Sequence, residues 1–397
     1  LSIPSRVLPV IVFSQFCCTS LWFAVNAVMP DLIMGFNLEI EALGHLTSAV
    51  QLGFIFGTLI FAILTISDRF SPSKVFFICA LSGAFFNLGI LWDDNSLFSL
   101  IFFRFLVGFS LAGIYPVGMK IASDYFDKGL GRSLGYLVGA LVLGTAFPHL
   151  LKEVSENIQF KWQSVVYSTS ILAALGGLLI LIFIPDGPYR TKRKKPDLSL
   201  VFKVFNKPDF RSAAFGYFGH MWELYAFWAF TPVLLNYYKE YHPKADFSVA
   251  LVSFLVIGLG SVACILGGYI SENTGLKRTA GGALFLSGFC CLLSPLLFFQ
   301  NSEFLLIGFL IFWGLVVIAD SPLFSTLVAR NASAESRGTA LTIVNCIGFS
   351  ITILSIQLLN FLNTQISTAL IFTTLAVGPA FGLFFLYRSK HRSVSIK

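Results

Sequence analysis

Charge is what this chain has least of. Asp, Glu, Lys and Arg make up 12% of its 397 residues, against about 25% in an ordinary soluble domain. A water-solvated globule is excluded by that shortage, and lipid is the expected solvent. Signatures of nucleotide and zinc chemistry are missing too. No Gly-x-x-x-x-Gly-Lys-Ser/Thr run occurs, so drive by ATP is not expected. His220-Met221-Trp222-Glu223 is not the His-Glu-x-x-His of a zinc hydrolase, and an enzyme is not expected. Cysteine is sparse: the seven (17, 18, 79, 264, 290, 291 and 346) sit in apolar runs without metal-ligand company. They read as small packing residues, with no disulfide framework, metal or cofactor expected.

What is present is hydrophobic length: 56% of residues are apolar and the mean hydropathy is +0.80. Twelve runs are long enough to span a bilayer, near 7–29, 45–66, 73–92, 98–123, 133–151, 162–185, 211–237, 247–271, 279–298, 304–329, 338–361 and 367–387. Each meets the roughly 17–20 residues a spanning helix needs, and a barrel strand needs only about 9–11. The net charge of +7 could suggest nucleic acid, but its distribution points to topology. Of the 27 Lys and Arg, 21 fall on one side of the spans, including Arg6, Arg69, Lys74, the Arg190–Lys195 cluster, Arg278, Arg330 and the C-terminal tail. Lys152, Lys161, Lys239 and Lys244 fall opposite, and Arg104 and Lys120 lie within spans. Cations favour the cytoplasmic side, so both termini are expected there. No cleavable signal is expected ahead of a full-length first span, and the missing initial Met suggests that a few residues precede this sequence.

The chain also repeats itself. Leu64-Thr65-Ile66-Ser67-Asp68-Arg69-Phe70-Ser71-Pro72-Ser73-Lys74 has a near copy 204 positions on, Gly268-Tyr269-Ile270-Ser271-Glu272-Asn273-Thr274-Gly275-Leu276-Lys277-Arg278. Each leaves an apolar run, places an acid five positions in, and ends in a cation before the next run. Gly108, Pro116 and Arg132 are likewise echoed by Gly314, Pro322 and Arg337, at offsets of 206, 206 and 205. Two related halves are the natural reading. The expected architecture is an all-α integral membrane protein of twelve transmembrane helices in two six-helix halves, 1–185 and 211–397. A cytoplasmic linker, 186–210, joins them. Phe202, Val204 and Phe205 interleaved with lysines predict a short amphipathic helix on the membrane surface there.

These residues carry a resemblance to the major facilitator superfamily over essentially the whole length. That family's loop runs Gly-x-Leu-Ala-Asp-Arg-x-Gly-Arg-Arg/Lys. The first copy keeps Asp68, Arg69 and Lys74 but has Leu64 and Ser71 for the glycines, whereas the second keeps Gly268, Gly275 and Lys277 with Glu272 for the Asp. The resemblance implies the major facilitator fold, and a latch that balances inward- and outward-open states, here Asp68, Arg69 and Glu272. Arg104-Phe105-Leu106-Val107-Gly108 to Ala112-Gly113-Ile114-Tyr115-Pro116 is similar to the family's organic-anion symporters, which often carry an acid where this chain has Leu111. Gly135-x-x-x-Gly139-Ala140-x-x-Leu143-Gly144 partly matches its antiporter motif without the proline. Helices one, four, seven and ten line the central cavity in that family.

An ionisable residue in a span is costly and is a functional candidate by default. Arg104, His220, Glu223 and Asp320 qualify, and all lie in the fourth, seventh and tenth spans. In the first span, Gln15, Thr19, Trp22 and Asn26 form one stripe on a continuous helix, as cavity lining or as helix–helix glue. Arg104 shares a face with Tyr115 and could grip a carboxylate or phosphate, with a structural ion pair or a carbonyl clamp as the alternative. Lys120 faces about 160° away and is expected to reach water or Asp124. His220 and Glu223, three apart, form either a proton-exchanging pair or a packing lock. Asp320 shares a face with Trp313 and could meet a cation or serve a gate. The expectation is a monomeric secondary transporter in a bacterial inner membrane, moving a small organic anion with protons by alternating access. Arg104, Tyr115, Trp22, Asn26, Gln15 and Trp313 would bind substrate. Glu223, His220 and Asp320 would carry the proton. The alternatives are a proton-coupled exporter of drugs or metabolites, and a membrane-embedded enzyme or lipid-handling protein.

Overall fold

A computed structural model describes residues 5–126, 130–190, 204–333 and 337–388, the side chains of 130–132 excepted. Ten helices among these residues are long and apolar enough to cross a membrane: Ala42–Ile63, Pro72–Leu91, Leu97–Tyr125, Ser133–Asn157, Gln163–Phe183, Val249–Thr274, Leu276–Phe298, Glu303–Asn331, Arg337–Gln365 and Thr368–Arg388. They follow ten of the expected spans to within a few residues at each end. The other two expected spans are built differently. The seventh is one 34-residue helix, Pro208–Tyr241, that runs through Pro232. The first is broken: an apolar helix, Val7–Thr19, stops after 13 residues, and the chain resumes as Ala24–Ala27 and Met29–Phe36. The cation cluster at Lys192–Lys195, Phe202 of the expected surface helix and the tail beyond Arg388 lie outside the described residues, whereas Val204 is buried and Phe205 packs its ring on Phe210 at 5.1 Å.

The packing repeats every six spans. The second span lies against the fourth and the eighth against the tenth; the third against the sixth and the ninth against the twelfth; the first against the sixth and the seventh against the twelfth. Two glycines explain how closely the second-on-fourth pairs approach. A Cβ on Gly108 would stand 2.0 Å from the Val50 carbonyl oxygen, and a Cβ on Gly314 would stand 2.0 Å from the Val256 carbonyl oxygen. Both residues of the second pair lie 206 positions beyond those of the first, so the duplication read from motifs is also a duplication of backbone contact. Small residues at such crossings let helices associate by van der Waals contact where lipid offers no hydrophobic drive.

Across the seam between the halves, the second span packs on the eleventh and the fifth on the eighth. At the end opposite the cation-rich face this seam is hydrogen-bonded. The Gln357 amide donates to the Gly44 carbonyl at 3.1 Å and to Ser48 Oγ at 2.9 Å, and Asn360 donates to the Glu41 carbonyl at 2.9 Å. Ser248 also donates to Glu153 from the other half.

Candidate functional site

The break in the first span sits where Arg104 reaches it. Leu21 and Trp22 bond back only three residues, to Cys18 and Thr19. The freed Leu21 and Trp22 carbonyls accept from the two terminal nitrogens of Arg104, at 3.1 and 2.5 Å. A carbonyl without a partner inside a bilayer costs several kcal/mol, about what an irregular turn there must recover from a side chain. Arg104 supplies both bonds from a fully buried position. Of the two roles open to it, the one realised in this conformation is the carbonyl clamp, and only its Nε lacks a partner among the described residues.

The break also interrupts the expected polar stripe, because a constant 100° step stops at Thr19. Gln15 lies against the fourth span, where a Cβ on Gly118 would meet its Oε1 at 2.4 Å. Asn26 instead donates to Thr47 Oγ1 in the second span at 2.8 Å. The Trp22 ring crosses the seam, stacked on Tyr225 and Phe349 at centroid distances of 5.8 and 5.7 Å, with Phe54 at 5.0 Å. Tyr115 is half-buried, one residue before Pro116, where the fourth span restarts after Leu111.

In the other half, His220 and Glu223 part company. Residues three apart on a helix diverge by about 60°, enough to address different neighbours. His220 Nδ1 stands 2.8 Å from Asp320 Oδ1, and both side chains are wholly buried. Glu223 is instead an acceptor for three donors: Trp313 Nε1 at 2.6 Å, Ser287 Oγ at 2.9 Å and Cys291 Sγ at 3.4 Å. Trp313, expected to meet substrate, therefore spends its polar edge on Glu223 and stacks its ring on Phe227 at 4.3 Å. Asp320 occupies the joint between helices Glu303–Ala319 and Ser321–Asn331, so its position is fixed by a local helix end.

The residues expected to form a latch lie at the cation-rich end. Lys120 Nζ lies 3.0 Å from Asp68 and 3.3 Å from Asp124, so it reaches the acid expected of it and a second one on the repeated loop. Arg190 pairs with Asp186 and donates to the Phe70 carbonyl at 2.7 Å, tying the loop to the end of the sixth span. Arg69 and Glu272 are exposed. Thr65 turns this loop with φ of 50°, where a glycine would have been unstrained.

Sequence reasoning passed over Gln51, Ser287 and Cys291. Ser287 and Cys291 are too ordinary in a membrane helix to stand out. Gln51 carried a usable signal, an amide in the middle of an apolar run, which is costly unless it has a purpose.

Three comparisons bear on this arrangement. The chain is 25% identical over 173 residues to the 4-hydroxybenzoate transporter PcaK of Acinetobacter baylyi, a match covering 41% of this chain and 35% of that relative. The PcaK of Pseudomonas putida is 24% identical over 173 residues, covering 41% and 36%. The matched stretch is thus about a third of the length of these curated relatives. Among solved structures, a bacterial homologue of the human lysosomal transporter Spinster, inward-facing and unoccupied, superposes with a TM-score of 0.70 at 15% identity, over 97% of this chain and 95% of that one. Its inward-facing occupied form gives 0.68 at 16%, with the same coverage. These superpositions establish the fold. The family model described as Major Facilitator Superfamily matches residues 11–356. The chain belongs to that superfamily, as a multi-pass membrane transporter rather than an enzyme.

Proposed function

We propose that this transporter moves a small organic anion, an aromatic carboxylate by preference, and couples it to protons through alternating access. The substrate class is supported by the two relatives named for 4-hydroxybenzoate and by the aromatic stack of Trp22, Tyr225, Phe349 and Phe54 beside a buried arginine. Both termini lie in the cytoplasm and the working unit is a monomer in this reading. The seam opposite the cation-rich face is the extracellular gate, and the Lys120–Asp68 contact belongs to the cytoplasmic latch.

The observation that carries the proton coupling is the wholly buried His220–Asp320 contact, with Glu223 one turn away. Charged groups in a low-dielectric interior interact strongly and are costly to leave unpaired. Adding or removing one proton at this pair therefore changes the packing energy of the seventh span against the tenth. Glu223 is held by three donors, which favours its role as an anchor and second site, with the His220–Asp320 pair as the primary carrier. Asp320→Asn is nearly isosteric and cannot titrate. In proteoliposomes it should retain 4-hydroxybenzoate exchange and lose accumulation driven by a pH gradient, and Glu223→Gln should lower accumulation less. Accumulation at the parental level by both folded variants would remove proton coupling from this cluster.

A further inference from the structure

Buried polar atoms around the broken first span that no group in the described protein satisfies include Trp22 Nε1, Arg104 Nε, and both Oε1 and Nε2 of Gln51, with those of Ser14 and Gln15 earlier on the first helix. Each side chain is at most 1% exposed. Their proximity follows from contacts on either side. On the second span, Thr47 receives a hydrogen bond from Asn26 and Phe54 meets the Trp22 ring at 5.0 Å. Gln51 comes four residues after Thr47 and three before Phe54, so it lies between them on the helix stripe that faces the break. Arg104 is brought to the same level by its bonds to the Leu21 and Trp22 carbonyls. The Val50–Gly108 backbone contact, one residue from Gln51 and one turn from Arg104, fixes the second and fourth spans at that height.

We infer that Trp22, Gln51 and Arg104 form a carboxylate-binding subsite in the N-terminal half, with Gln51 its specificity-determining member. The inference rests on the organic-anion reading above and gives it an address. An indole N–H, a guanidinium Nε–H and an amide NH2 are three donors, and a buried donor left unmade is costly. Two carboxylate oxygens accept all three, with the cationic guanidinium strengthening the bonds. Arg104 need not release the Leu21 and Trp22 carbonyls for this, because only its Nε edge is used. The substrate ring then has a slot ready where Trp22 stacks with Tyr225 and Phe349, once the halves part. The Gln51 amide oxygen is the one acceptor in the set, and it selects for a ligand that also donates.

The test is equilibrium binding of radiolabelled 4-hydroxybenzoate to the purified full chain, with 4-hydroxybenzamide as uncharged competitor. The parent chain should bind the acid and ignore the amide. Gln51→Leu and Trp22→Phe should each weaken binding at least about ten-fold, the loss expected when a bond to a charged group disappears. Gln51→Glu keeps the size and polarity of the site but sets a carboxylate beside the ligand, so its loss should exceed that of Gln51→Leu. This second variant serves if the leucine variant folds poorly. Undiminished affinity in a folded Gln51→Leu or Gln51→Glu chain overturns the subsite while leaving anion transport standing. Competition by the amide as effective as by the acid overturns the carboxylate chemistry. A parent chain that binds no aromatic carboxylate overturns the substrate reading itself, and the subsite with it.

Discussion

The two halves of this transporter share a backbone frame and almost none of its chemistry. Val50 against Gly108 and Val256 against Gly314 are the same contact made twice, 206 positions apart. At that same offset Arg104 corresponds to Leu310, Gln51 to Ile257, Glu223 to Cys17 and Asp320 to Ile114, while Trp22 corresponds to Trp228. The N-terminal half thus holds a buried cation and an unsatisfied amide where the C-terminal half is aliphatic, while the Trp22 and Trp228 indole N–H groups are buried without a partner in both. The C-terminal half holds buried acids and a histidine where the N-terminal half is apolar or small. Of this corresponding pair the first span is broken, whereas Pro208–Tyr241 runs unbroken. A duplicated scaffold has kept the packing and divided the buried charge, with Arg104 in one half and Glu223, Asp320 and His220 in the other.

The comparison is broken most severely at Arg104. Arg104→Met keeps much of the stem but leaves the Leu21 and Trp22 carbonyls without partners in the membrane. The expected loss is about 3 kcal/mol, two charge-assisted bonds offset by relief of the buried cation. Leu310→Met, the matching change in the other half, conserves volume and should cost under about 1.5 kcal/mol. Melting temperatures in detergent measure both. Equal losses would mean that Arg104 does not hold the break, and that the asymmetry between the halves lies elsewhere.

That break also marks the limit of what the sequence shows. Span ends were legible because polar loops interrupt apolar runs, and the repeat because Gly108, Pro116 and the two loops have fixed partners in the second half. The same reading placed Arg104, His220, Glu223 and Asp320 as the residues to watch, since their cost in lipid depends on residue type alone. Ser20-Leu21-Trp22-Phe23 carries no proline or glycine, so nothing local announces a broken helix. The turn is stabilised from 83 positions away by a side chain, which periodicity cannot register. Partner choice is illegible for the same reason. His220 had Glu223 as its sequence neighbour, yet it turns to Asp320, 100 positions on, because only the packing of the seventh span on the tenth decides which acid is near.

A smaller effect sharpens the shared half of the comparison. Gly108→Ala and Gly314→Ala each push a methyl toward a backbone carbonyl that cannot rotate away. Each should cost roughly 1–3 kcal/mol, through separation of the second and fourth spans in one half and the eighth and tenth in the other. Near-equal shifts in melting temperature would support one frame used twice. If Gly314→Ala were harmless and Gly108→Ala severe, the frame would be maintained only beneath the donor cluster.

The smallest expected effect concerns the seam. Gln357 donates two hydrogen bonds to the second span across the halves, and Gln357→Leu removes both without altering either half's own packing. Each such bond is worth about 1 kcal/mol or less at a partly hydrated site, so the balance should move roughly five-fold toward the form open at that end. Spin labels at Ile40 and Gln365, exposed positions of opposite halves at this end, would report it as a growing long-distance population. Labels at Ile40 and Phe160, both exposed and both in the N-terminal half, supply the control. If the halves rock as bodies built on one repeated frame, the first distance lengthens and the second stays put. A change within the half would instead mean that the broken first span flexes during the cycle. The asymmetry centred on Arg104 would then belong to the motion as well as to the binding.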